Sequence, residues 1–287
     1  MTPADGSETS PLSPPDPSRR LAALFDRVAD TYESVGVPWF EPIAQGLVGA
    51  VAPQAGERAV DLGCGRGAAL FPIAAAVGKD GRVSGIDLSP RMVALAGERA
   101  AELGLTTVDL LVGDVARLEL PPGQADLVTA SLVLFFVPQP QQVLTGWADL
   151  LRPGGRLGIS TFDRRDQAWR DLDDLFTPYL PPQLLDARTS GEGGPFGSDE
   201  GVAGLFTGAG LTDVRTTHAD ITVGFDDVDA WVTWSSSHGQ RAMWDQVPDG
   251  DRTALVATAT TLLDGVRDQG GRSRLTQRVR YTVGVRA

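Results

Sequence analysis

The chain has 287 residues, a formal net charge of −12, one cysteine and one lysine. That length allows one α/β domain with a sizeable addition, and the acidic balance with scattered arginines argues against a long nucleic-acid backbone as partner, which needs a concentrated basic surface. Cys64 alone excludes an intrachain disulfide or a multi-cysteine metal cluster, and Lys79, on an expected surface turn, leaves lysine-dependent chemistry almost no source.

No apolar run approaches the roughly eighteen residues of a membrane span, and the first residues lack the basic and apolar regions of a secretion signal, so a cytoplasmic protein with a small-molecule substrate is expected. Residues 1–18, rich in Pro, Ser, Asp and Thr, cannot bury enough surface to offset ordering entropy and read as a disordered tail. From Arg19, the residues Leu21, Leu24, Phe25, Val28 and Ala29 recur at helical spacing. A second helix is expected over 43–51, and residues 19–55 together precede the first core strand.

The stretch 59–68 reads as a buried strand that ends on an acid, passes three alternating glycines (Gly63, Gly65, Gly67) and opens into an apolar helix reaching Val77. Such a turn lets a ligand lie on bare main chain and offers unpaired N–H groups at the helix start. The same residues also fit a dinucleotide fingerprint with Asp87 at ribose distance. Asp61 favours the other reading, because a carboxylate at the strand end suits an α-amino or sulfonium group and repels a pyrophosphate.

Residues 81–87 form a second strand ending on Asp87, which can accept hydrogen bonds from both ribose hydroxyls, and Ser89 and Pro90 then start a helix. Leu88 and Met92 would flank a base. A third strand, Val108–Val112, precedes Asp114 and Val115. A fourth, Ala125–Ser131, places Ser131 through Phe136 at the crevice, with Asp126 a structural strand-entry residue. A helix over 139–151 leads through Pro153-Gly154-Gly155 into a fifth strand. Alternating strands and helices imply a parallel sheet with a ligand crevice at the strand carboxyl ends.

The D-x-G-x-G-x-G motif from Asp61 to Gly67, the acids Asp87 and Asp114, the L-x-P-G-G turn at 151–155 and the segment FDRVADTYESVG at 25–36 together resemble class I S-adenosylmethionine (SAM)-dependent methyltransferases, in particular the ubiquinone/menaquinone-type and natural-product small-molecule enzymes. The resemblance covers residues 20–162. It implies a doubly wound, seven-stranded Rossmann-like α/β sheet whose last strand is antiparallel and slots between the fifth and sixth, with 19–55 as a helical lid and 56–162 as the SAM-binding core. It also implies that Tyr32 closes over the cofactor, that Asp114 recognises the adenine amine with Val115 beside it, and that S-adenosylhomocysteine is the product.

Two segments interrupt this core: 163–197, a helical insertion with a mobile loop over 191–197, and 226–272, a helical cap. Residues 198–225 return a helix and the sixth strand, and 273–287 carry the closing strand. Trp231 and Trp234 are expected to supply apolar walls for an acceptor. His238, followed by a glycine that could end its helix and expose the ring, is the candidate general base, and Arg241 the candidate grip on an acceptor carboxylate. His218, within a strand, reads as structural. The expected activity is methyl transfer to a small hydrophobic or aromatic metabolite, O-methylation of a hydroxyl or carboxylate ahead of quinone-type C-methylation, by an enzyme that could form a homodimer. A nicotinamide-dependent oxidoreductase and a non-catalytic SAM-binding protein are the competing readings.

Overall fold

The computed structural model describes residues 17–182 and 193–287. Seven strands make one sheet: β1 (Arg58–Leu62), β2 (Arg82–Asp87), β3 (Val108–Val112), β4 (Ala125–Ser131), β5 (Leu151–Arg165), β6 (Leu211–Phe225) and β7 (Ser273–Arg286), in the order β3-β2-β1-β4-β5-β7-β6. Strands β1 to β5 pair in parallel, and β7 runs antiparallel between β5 and β6. The chain winds outward in opposite directions from β1 and β4, which creates a crevice at their carboxyl ends. The expected fold is the one observed.

Ten helices surround the sheet among the described residues: α1 (Pro17–Val28), α2 (Phe40–Val51), α3 (Leu70–Val77), α4 (Pro90–Glu102), α5 (Pro140–Asp149), α6 (Gln167–Asp174), α7 (Asp199–Gly208), α8 (Val228–Ser235), α9 (Arg241–Trp244) and α10 (Asp249–Asp264). Several starts are written in the sequence as side-chain caps. Ser89 accepts from the Met92 N–H with Pro90 in the first turn, and Asp166, Ser198 and Asp227 do the same for α6, α7 and α8. Helix α2 lies close on the sheet because Gly46 faces the Tyr281 ring, where a Cβ would sit 2.3 Å from the hydroxyl oxygen.

Boundaries differ from expectation where chain sterics permit. Helix α2 begins at Phe40, ahead of Pro42, since a proline in the first turn forfeits no intrahelical bond. Strand β5 runs to Arg165, past the expected core limit at 162, because its antiparallel partner β7 extends the ladder to the pair Arg165–Gln277. The disordered tail expected over residues 1–18 is corrected at its end, where Pro17 and Ser18 open α1; residues 1–16 and the loop residues 191–192 lie outside the described residues, while Gly194–Gly197 form a short 3-10 turn.

Candidate cofactor and acceptor site

Asp61 closes β1 at the crevice and is buried. Its Oδ1 accepts from the Thr129 hydroxyl at 2.7 Å, and its Oδ2 is buried without a partner. Burial first, and then the nearby charge of Asp87, push its pKa up to about 7. A buried carboxylate with one orphaned oxygen suits a cationic ligand group.

The three glycines have left-handed φ angles of 68°, 52° and 99°, yet their surroundings differ. A Cβ on Gly63 would lie 2.4 Å from Val133, whereas one on Gly65 would meet nothing within 4 Å. Gly63 is therefore needed for packing, and Gly65 borders open space for a ligand.

Asp87 ties the turn to the next strand end. It accepts from the Gly65 N–H at 2.8 Å and the Ser89 N–H at 2.9 Å. Burial raises its pKa against the effect of those bonds. Leu88 is half-buried beside it, but Met92 is fully buried, so its expected place against a base is corrected: it belongs to the core under α4. Asp114 accepts from the Ala116 N–H and from the Ser18 hydroxyl at the start of α1. Val115 is buried, and its carbonyl accepts from the Trp147 indole. Ser131 bonds Ser160 across β4 and β5, whose side chain and carbonyl also hold the Leu132 N–H. Leu132 itself has a φ of 58°, a strained backbone for a non-glycine residue, at the point where β4 meets the crevice.

Helix α1 is docked on these same landmarks. Asp26 accepts from the Ser89 hydroxyl at 2.5 Å and from the Arg91 N–H, and Asp30 pairs with the Arg91 guanidinium. Tyr32 follows, with its carbonyl oxygen held by Arg66. Burial, then the charges of Glu33 and Asp87, raise the Tyr32 hydroxyl well above its ordinary pKa.

Beyond Tyr32 a closed cycle of aromatic contacts joins three parts of the molecule. The lid contributes Phe25, Tyr32, Trp39 and Phe40, the core Phe135, Phe136 and Phe162, and the cap Trp234 and His238. Successive ring centroids lie 4.2 to 6.4 Å apart. A narrow crevice at His238 is lined by Glu33, Val35, Val37, Trp39, Phe40, Trp234 and Ser237.

Three acceptor-side expectations need correction. His238 is not exposed: α8 ends at Ser235, three residues before it, and the ring is buried between Trp234 and Phe40. Burial pulls its pKa down to about 3. Arg241 is half-exposed on α9 and pairs with Asp245 at 2.8 Å, so it does not reach the crevice. Trp231 is buried inside the cap against Phe176 and Trp244, apart from the ring cycle. His218 is structural as read, bonded to Asp199.

Sequence reading also missed Asp26, Arg66 and Arg280. Asp26 on α1 and Asp30, two residues past its end, both face the segment Ser89–Arg91, and their spacing of four could have flagged the docking face. Arg280 is a fully buried cation in β7; it bonds Asp163, Asp199 and the carbonyls of Phe162 and Phe196, and so fixes Phe196 against Phe135. Arg280, Asp163 and Asp199 edge a polar pocket of about 280 Å³ that includes His218 and Arg278 and is built from ion pairs.

Fold and site together define an α/β enzyme that takes a cationic nucleoside-type cofactor at the β1/β4 switch point. A methyltransferase domain family model matches residues 53–189. The chain is 36% identical over 271 residues to a nocamycin O-methyltransferase of Saccharothrix syringae, covering 91% of this chain and 96% of that one. It is 38% identical to the aklanonic acid methyltransferase DauC of a Streptomyces species, over 58% of this chain and 76% of that one. Among solved structures, the [4+2]-cyclase SpnF aligns with a TM-score of 0.57 at 19% identity, covering 92% of this chain and 96% of that one; this likeness concerns the fold alone. The chain belongs to the SAM-dependent methyltransferase family. It is an enzyme that uses S-adenosylmethionine, and the orphaned Asp61 oxygen, the open Gly65 and the Asp87 carboxylate fit that cofactor.

Proposed function

We propose that the protein O-methylates a small aromatic or polycyclic metabolite in natural-product biosynthesis. The observation that carries this reading is the aromatic cycle: rings of the lid, core and cap form one continuous apolar surface, and Tyr32 within it is tied through its main-chain oxygen to Arg66 of the glycine turn where Asp61 and Asp87 would hold the cofactor. The names of the two relatives point the same way, one an O-methyltransferase and the other acting on an acid.

In this reading Asp61 binds the cofactor's α-amino group, the main chain at Gly63, Gly65 and Gly67 cradles its amino-acid portion, and Asp87 accepts from the ribose hydroxyls. Tyr32 and Leu88 cover it, Asp114 with Val115 receives the adenine, and Ser131 borders the turn. When bound, SAM supplies an electrophilic methyl group on a sulfonium. Phe136 and Trp234 orient the acceptor, and the lid excludes water from the encounter. Because a positioned in-line displacement needs little else from the protein, an apolar wall with few polar groups is sufficient machinery. A quinone-type C-methyltransferase would use the same wall, and product structure separates the two. The experiment is methyl transfer from radiolabelled SAM to a panel of aromatic hydroxy and carboxylic acids, with the label located by mass spectrometry; label on ring carbon only would replace O-methylation with the C-methylation alternative.

A further inference from the structure

Ser160 on β5 is fully buried, and the Leu132 main-chain N–H donates to its Oγ at 3.1 Å while the Ser131 Oγ lies 3.0 Å away. An N–H can only donate, so among the described residues the Ser160 hydroxyl hydrogen has one acceptor, the Ser131 oxygen. Left unpaired in the core, that hydrogen would carry the cost of a desolvated donor. The direction of the chain is thereby set, from Leu132 to Ser160 and from Ser160 to Ser131. Its origin is fixed as well: Leu132 holds the strained φ of 58°, and its N–H is also gripped by the Ser160 carbonyl at 3.2 Å. Ser131, half-buried at the carboxyl end of β4, keeps its own hydrogen to donate.

Thr129 stands opposite Asp61 in the β1–β4 ladder and donates to its Oδ1. Ser131, two residues on, projects from the same face of β4 and stands level with the first glycine of the turn. Many of the donors around it are taken. The Gly63 and Cys64 N–H groups donate to the Ile86 carbonyl, Gly65 to Asp87 and Gly67 to the Cys64 carbonyl. The Arg66 guanidinium is turned to the carbonyls of Tyr32 and Ala29. A cofactor whose α-amino group lies on Asp61 brings its α-carboxylate, bonded to the same carbon, to this strand end.

We infer that Ser131 donates its hydroxyl hydrogen to the α-carboxylate of the cofactor, and that Ser160 is the positioning residue that directs it there. This rests on the methyltransferase reading and deepens it. A carboxylate is a stronger acceptor than a neutral oxygen, and successive hydrogen bonds polarise one another, so buried Ser160 strengthens a contact it does not itself make. In the reverse orientation, with Ser131 donating to Ser160, only an oxygen lone pair would face the carboxylate, and the two would repel.

The test titrates the full chain at pH 8 with S-adenosylhomocysteine and with its decarboxylated analogue, which keeps the amine. The wild type is expected to bind the first about tenfold more tightly or better. Ser131→Ala should weaken S-adenosylhomocysteine about tenfold and leave the analogue within about twofold, and Ser131→Thr, which restores the hydroxyl, should recover most of the loss. Ser160→Ala should weaken S-adenosylhomocysteine about threefold, leave the analogue unchanged, and add nothing in a Ser131→Ala background. A merely structural Ser160 would lower the affinity for both ligands alike, together with the melting temperature. Equal wild-type affinities, equal losses for both ligands in Ser131→Ala, no loss for either, or a Ser160 effect that persists without Ser131 would each overturn the inference. Failure of the wild type to bind either ligand would instead strike the methyltransferase reading itself.

Discussion

Arg66, between the second and third glycines of the turn, donates from its guanidinium to the main-chain oxygen of Tyr32 at 2.5 Å. A second, longer bond runs to the Ala29 oxygen at 3.4 Å. One side chain thus joins the cofactor turn to the end of the lid helix, where carbonyls lack intrahelical partners. Order in residues 29–32 and cofactor binding at the turn are therefore expected to be coupled.

Replacing Arg66 by alanine should release that end of the lid. The loss of a charge-assisted bond is worth about 1–2 kcal/mol, so calorimetry should find SAM binding weakened by roughly five- to thirtyfold. Amide exchange over residues 25–36 should accelerate in the same variant. Unchanged exchange there would show that Asp26 and Arg91 hold the lid without Arg66.

The buried Asp61 makes both stability and binding depend on pH. Its folded pKa of about 7 lies above the ordinary value of 3.8, so the native ligand-free protein holds a proton that the unfolded chain releases. The associated stability is present below about pH 4 and is lost as pH rises through 7, by up to about 4 kcal/mol. Asp61→Asn removes this slope, and comparing the two melting curves between pH 5 and 8 isolates the residue. Cofactor affinity should run the other way in the wild type, rising with pH up to about 7, where the carboxylate becomes charged, and staying flat and weak in the variant.

Two glycines of the same turn should fail differently. Gly63→Ala places a methyl group 2.4 Å from Val133 on a left-handed backbone, and should destabilise the fold by about 1–3 kcal/mol. Gly65→Ala meets no protein atom, so its melting temperature should fall less while its SAM affinity falls more. Thermal denaturation and titration of both variants separate packing from ligand contact.

Arg280 is the buried member of an ion network with Asp163 and Asp199. Arg280→Met leaves Asp199 with His218 and Asp163 with Arg278 but removes the buried guanidinium from both and frees the Phe196 carbonyl, which should cost about 1–3 kcal/mol in chemical denaturation. A loss near zero would mean that water replaces the guanidinium without consequence.

The sequence exposed the cofactor half of this molecule because its chemistry is local. Asp61, the three glycines and Asp87 sit at strand ends, and alternating apolar strands and helices dictate which ends meet. The place of β7 between β5 and β6 came instead from the resemblance to the methyltransferase fold. The acceptor half was less legible because it is assembled from distant segments. His238 reads as exposed next to a glycine, yet Phe40 and Trp234, one from the lid and one from the cap, bury it. Arg241 reads as a free grip, yet Asp245, one helical turn on, takes it. Trp231 and Trp234 look equivalent by spacing, yet one packs in the cap core and the other joins the ring cycle. Arg280 gave no local signal, since burying a cation depends on partners that lie 81 and 117 residues away.

The account turns on a cofactor held by Asp61 and the glycine turn, and the most direct measurement is isothermal titration of the purified protein at pH 8 with S-adenosylmethionine, S-adenosylhomocysteine and NADH. Micromolar binding of the first two, none of NADH, and loss of the first two in Asp61→Asn are the predicted results. Binding of NADH alone, or SAM affinity indifferent to Asp61, would contradict it.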